Sequence, residues 1–129
     1  MKEPRKLEII ECQGSYRDIG RQYGEACREN LTASIESLFR DLEMMQKASR
    51  EEVISVAAKY RPLVEAFDPD LIEMLHGQAE GAGVSFDEVF ALRCKLELGM
   101  YYRKIMTLCT SFAVTEGGMV RDGVDAELD

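Results

Sequence analysis

From Ile19 to Met45, apolar side chains recur at steps of three and four: Ile19, Tyr23, Cys27, Leu31, Ile35, Leu38, Leu42 and Met45. An α-helix turns once in about 3.6 residues, so this spacing gathers all of them on one stripe. The pattern predicts one amphipathic helix of about eight turns. It opens at Ser15, where Asp18 three positions on supplies a capping-box partner. A stripe of that length has to be covered by other elements, so the chain is bound to a multi-helix core. Gly20 and Gly24 lie one turn apart near the start of this helix, each costing roughly 1 kcal/mol relative to alanine. Two such costs in the first turns predict a close approach by another element.

The rest of the chain supplies the covering helices. Ser49-Arg50-Glu51-Glu52 is a capping box opening a second helix with Val53, Val56, Tyr60, Leu63 and Phe67 inward, which Pro62 kinks or splits. Asp68-Pro69 caps and starts a third, carrying Leu71, Leu75, Gln78 and Ala82 and stopping in Gly81-Ala82-Gly83. Ser85-Phe86-Asp87-Glu88 begins a fourth, with Val89, Leu92, Leu96 and Met100 inward. Leu7 to Cys12 reads as a short strand. Cys109 to Thr115 reads as another, turning at Glu116-Gly117-Gly118 into a return strand over Met119-Val120-Arg121. The expected class is mainly α within an α+β plan: four or five helices, a short N-terminal strand and a C-terminal β-hairpin. With 46% hydrophobic and 31% charged residues in 129, this is one domain over 1–129. A sheet so small exposes its edges, which predicts a homo-oligomer or a missing partner chain.

Composition excludes several functions. Twenty-four acidic against 16 basic residues leave a formal net charge of −8, the wrong sign for a phosphate backbone. No apolar run approaches the ~20 residues of a membrane span, and Met1 to Lys6 leads into no apolar signal core. Cys12, Cys27, Cys94 and Cys109 form no CxxC pair, and His76 is the single histidine. A zinc site normally needs such short paired spacings, so no metal is expected. Four free thiols in a reducing, cytoplasmic setting are expected instead. Gly81-Ala82-Gly83 lacks the GxGxxG spacing of a nucleotide loop, and no cofactor is expected.

Three segments carry a resemblance. The stretch Cys12-Gln13-Gly14-Ser15-Tyr16-Arg17-Asp18-Ile19-Gly20-Arg21-Gln22-Tyr23-Gly24 resembles the opening of the acyl-CoA:6-aminopenicillanic acid acyltransferase family, the peptidase C45 group of N-terminal-nucleophile (Ntn) hydrolases. Residues 73–85, followed by Ala91-Leu92-Arg93-Cys94-Lys95-Leu96-Glu97, are similar to a second landmark of that family, and Cys109-Thr110-Ser111-Phe112-Ala113 to its processing site. In order, they cover residues 7–123. The resemblance implies that 7–108 is an α-subunit-like helical region of an αββα Ntn hydrolase. It implies that 109–123 begins the nucleophile-bearing sheet, with 124–129 a truncated or divergent acidic tail. It places the nucleophile on Cys109 and the self-processing bond at Leu108–Cys109. The thiolate attacks, and the freed α-amine, with a pKa near ~8, acts as base.

The same resemblance gives Arg93, Lys95 and Glu97 a role in binding a carboxylate or holding the processing site; by their types alone they read as a solvated helix face. The expected function is that of an N-terminal fragment or truncated homologue of a self-processing C45-type acyltransferase or amidohydrolase, inactive alone. Acyl-CoA or an amide is the substrate of the full-length relatives. The alternative is a non-enzymatic, self-associating helical module, in which Cys109 is a small buried thiol.

Overall fold

The computed structural model describes residues 8–102, 113–116 and 119–122. Residues 8–102 hold seven helices and no strand: α1 (Tyr16–Ala26), α2 (Arg28–Gln46), α3 (Arg50–Ala58), α4 (Arg61–Phe67), α5 (Pro69–Ala82), α6 (Phe86–Arg93) and α7 (Lys95–Tyr101). The α+β reading with four or five helices is therefore corrected. Beyond the helical body, β1 (Ala113–Glu116) and β2 (Met119–Asp122) pair antiparallel, Glu116 opposite Met119. The described part is a four-residue ladder joined to no third strand among the described residues, and residues 109–112 of the expected strand lie outside them. It is no sheet layer, and the class is helical.

The N-terminal strand expected over Leu7–Cys12 is absent; of it, Leu7 lies outside the described residues. Residues 8–12 form no regular element and leave Ile9 86% exposed. A β-type segment becomes a strand only when a neighbour takes its amide groups, and among the described residues there is none. The segment is held instead at Gln13, whose backbone N–H donates to Gln22 Oε1 (3.1 Å) while its carbonyl accepts from Gln22 Nε2 (2.7 Å).

The helix starts follow local chemistry. Ser15 and Ser85 cap α1 and α6 in reciprocal boxes with Asp18 and Glu88, and Ser49 caps α3 through the Glu52 amide. Asp68 accepts from the Asp70 amide, and Pro69 opens α5. Three of the four expected helices are nevertheless broken. The first breaks at Cys27 (φ −105°, ψ 17°), so the eight-turn helix is two helices sharing one stripe. A single non-helical residue barely disturbs a three-and-four spacing, so periodicity is blind to it. The second breaks at Lys59 and Tyr60, just before Pro62, whose ring opposes the carbonyl four residues back and which lies harmlessly in the first turn of α4. The fourth breaks at Cys94 (φ −86°, ψ 20°). Across that break Phe90, Cys94 and Leu98 face inward, while Leu96 and Met100, expected inward, are 42% and 70% exposed.

The core gathers Ile35, Leu38, Phe39 and Leu42 of α2, Val53 and Val56 of α3, Ile72 of α5, Val89 and Phe90 of α6, and Leu98 of α7. Ile35, Val53, Val89 and Leu98 are almost wholly buried, each adding roughly 1.5–3 kcal/mol by leaving water. Arg50 bridges the helices from outside. It contacts Glu88 of α6 and Glu36 of α2 (3.5 Å) and lies over the Phe39 ring at 4.2 Å.

The tightest packing joins α1 to α5. A β-carbon on Gly20 would overlap the Met74 carbonyl, and one on Gly24 the Gln78 carbonyl. Conversely, β-carbons on Gly77 and Gly81 would overlap the carbonyls of Arg17 and Arg21. The close approach expected at Gly20 and Gly24 is thus made by α5, with a matching glycine pair. Arg17 reinforces it by pairing with Glu80 and with Glu73 (3.3 Å), and the Arg17 guanidinium holds the Glu80 carboxyl below the usual carboxylate range.

Gly20→Ala tests this seam. Alanine favours an isolated helix by ~1 kcal/mol, yet here the methyl meets backbone that cannot rotate aside. The expected outcome in urea unfolding is a net loss of about 2 kcal/mol or more, whereas exposed Ala26→Gly loses only about 1 kcal/mol.

Candidate functional site

A cavity of about 570 Å3 opens between α4, α5, α6 and α7, within the ~300–1,000 Å3 range of small-molecule sites. The Tyr60 break creates it by letting α4 leave the course of α3. Leu63 and Phe67, expected on the buried stripe, are instead 68% and 84% exposed and form an apolar mouth with Leu71 of α5. Leu75 and buried Phe90 line it further in.

Two turns along α5 from Leu71 the lining becomes polar. Gln78 is buried, and its Oε1 accepts from Arg93 Nε (3.3 Å) and Nη2 (2.8 Å). Because guanidinium has only donors, Arg93 also decides which Gln78 atom is the oxygen. The Gln78 amide nitrogen has no hydrogen-bond partner among the described residues, yet no described buried polar atom is sealed off without one. Gln78 lines the cavity. Arg93 forms no ion pair among the described residues and lies 5.9 Å from the Tyr23 ring centre of α1. One side chain thus touches α1 and α5 and borders the cavity.

Cys94 and Glu97 complete this polar side. Burial, and then the nearby Glu97 charge, push the Cys94 thiol up to about 11. Such a thiol stays protonated and is a poor nucleophile at neutral pH. The arrangement offers donors from Gln78 and Arg93, an acceptor from Glu97, and an apolar channel leading to them.

Of the residues singled out in the sequence, Arg93 and Glu97 border this cavity, and Lys95 is exposed and does not. Leu108 and Cys109 lie outside the described residues. Cys27, expected on the helical stripe, and Cys12, expected in the N-terminal strand, are only half-buried; Cys12 belongs to no strand and Cys27 to the α1–α2 junction. Cys12, Cys27 and Cys94 are free thiols. His76 is half-buried and stacks on Phe86 at 4.1 Å, with Arg61 4.7 Å from the same ring centre. Among the described residues no three His, Cys, Asp or Glu side chains gather as metal ligands, and no helix is long and apolar enough to cross a membrane. Gln78 was legible only as one position of an apolar stripe. A buried amide needs a partner, but nothing in the spacing points to Arg93. Comparison with protein-family models, curated proteins and solved structures finds no match to this chain.

Cys94 titration gives a test. The folded thiol holds its proton more tightly than the ordinary value of 9.0, so its contribution to stability is intact below pH 9 and is lost as pH rises toward 11. Carbamidomethylation of Cys94, mapped by mass spectrometry, is expected to be slow in the folded protein at about pH 8 and to accelerate once urea unfolds it.

Proposed function

We propose that residues 1–129 provide the α-subunit-like helical part and the nucleophile segment of a C45-type Ntn acyltransferase or amidohydrolase. In this reading Cys109 is the nucleophile and Leu108–Cys109 the processing bond. One observation supports it above the others. The two helical segments that carry the resemblance, 12–24 and 73–85, are each other's packing partners through Gly20, Gly24, Gly77 and Gly81. Segments so far apart in sequence form one backbone-to-backbone unit, and the following stretch adds Arg93, hydrogen-bonded to Gln78 within it.

The chemistry would run on the cysteine. The Cys109 thiol passes its proton to the α-amine freed by processing, and sulfur attacks the acyl carbonyl. The leaving amine takes the proton back, and a thioester remains for transfer to an acceptor amine or to water. Stabilising the oxyanion takes placed donors worth ~3–4 kcal/mol each, which the reading assigns to a β-subunit-like partner. The helical part alone is therefore inactive. Acyl-CoA or an amide is the proposed substrate class, and a cytoplasmic setting belongs to the same reading, in keeping with three free thiols among the described residues.

The exposed Leu63, Phe67 and Met100 favour a second reading, a non-enzymatic helical module that self-associates. Expression from the gene that encodes these residues separates the two. The enzyme reading expects a species starting at Cys109 by intact mass, and amide hydrolysis that Cys109→Ala abolishes. Hydrolysis unchanged in Cys109→Ala, or a chain that stays uncut and inactive when a β-subunit-like partner is present, overturns it.

A further inference from the structure

We propose that the cavity between α4, α5, α6 and α7 binds a neutral aliphatic amphiphile whose head group both accepts and donates hydrogen bonds, a primary alkanamide being the simplest case. The site stands on the cavity and its own side chains, independently of Cys109.

The apolar part calls for an aliphatic tail. Leu63 and Phe67 at the mouth are far more exposed than side chains of their kind need be on a helix whose neighbours form a core. A tail laid along them and Leu71 toward Phe90 takes that surface out of water, at roughly 25 cal/mol per Å2. The polar side selects the head. Arg93 and the Gln78 amide nitrogen present donors, and Glu97 presents an acceptor. Arg93 and Glu97 are of opposite charge, border the same space, and are not paired with one another.

A carboxylate head satisfies Arg93 and is repelled by Glu97. An ammonium head satisfies Glu97 and is repelled by Arg93. An amide meets both, its carbonyl accepting from Arg93 or Gln78 and its N–H donating to Glu97. The Glu97 charge is felt within this lining, since it helps keep the neighbouring Cys94 thiol protonated. A site built for an anion would not set a carboxylate there.

Isothermal titration of the protein with octanamide, octanoate and octylamine tests the inference. One octanamide per chain is expected, bound at least about tenfold more tightly than either charged analogue. Glu97→Gln removes the charge and keeps an acceptor. It is expected to strengthen octanoate about tenfold while leaving octanamide within about twofold. Phe67→Asp at the mouth is expected to weaken octanamide binding, and at 84% exposure this substitution spares the core. Octanoate or octylamine binding more tightly than octanamide overturns the proposal. So do the absence of octanamide binding and binding that Phe67→Asp leaves unchanged, which would place the ligand elsewhere. Each of these results leaves the role of Cys109 untouched.

Discussion

Where α1 runs along α5, the carbonyl oxygens of Met74, Gln78, Arg17 and Arg21 occupy the space that β-carbons on Gly20, Gly24, Gly77 and Gly81 would need. Two helices can come this close only where both lack side chains at the line of contact. Backbone van der Waals contact then replaces side-chain interdigitation, with Cα–H groups facing carbonyl oxygens at the seam. The seam has a geometric consequence beyond its own stability. By pinning α5 to α1, it fixes which faces of α5 are left for α4 and α6. Ile72 and Ala79 go to the core, and Leu71, Leu75 and Gln78 go to the cavity. The cavity is thus what remains of α5 after its glycine face and its core face have been used.

Charges brace this arrangement without making it. Arg17 lies across the seam to Glu73 and Glu80, all three half-exposed, and Arg50 joins α2, α3 and α6 from the surface. Arg93 differs in kind. Its guanidinium holds a buried amide rather than an exposed carboxylate, and it reaches toward Tyr23 on the far side of α5. It therefore ties the polar side of the cavity to the seam. The two described helical segments that carry the family resemblance, 12–24 and 73–85, meet in this one region, and the proposed enzyme reading draws its support from that contact.

Much of the helical layout was legible in the residues. Ser15, Ser49, Asp68 and Ser85 cap helices because their side-chain oxygens reach amides two or three positions on, an interaction contained within one turn. The need for close packing at Gly20 and Gly24 was legible for the same local reason, the cost of glycine within a helix. The breaks at Cys27 and Cys94 were not. A helix with one non-helical residue keeps its spacing while its axis turns, so periodicity sees continuity where the structure has a joint. The N-terminal strand failed for the opposite reason: its spacing was local, but a strand is made by its neighbour. Of the candidate site, Arg93 and Glu97 were visible as charges with a function by resemblance. That Arg93 and Glu97 share a face that Lys95 leaves is the four-residue spacing of a helix, but that this face borders a cavity depends on where α4 and α5 lie.

Short-range chemistry along the chain sets where helices begin, which residues are apolar, and that two glycines one turn apart demand a partner. These are properties of a few neighbouring residues and of one dihedral angle at a time. Tertiary structure alone decided that the partner is a second glycine pair on α5, that α4 turns Leu63 and Phe67 outward, and that Gln78 meets Arg93. Each of those depends on the relative direction of helix axes, and small angular changes at Cys27, Tyr60 and Cys94 set that direction while leaving the three-and-four spacing of the chain intact.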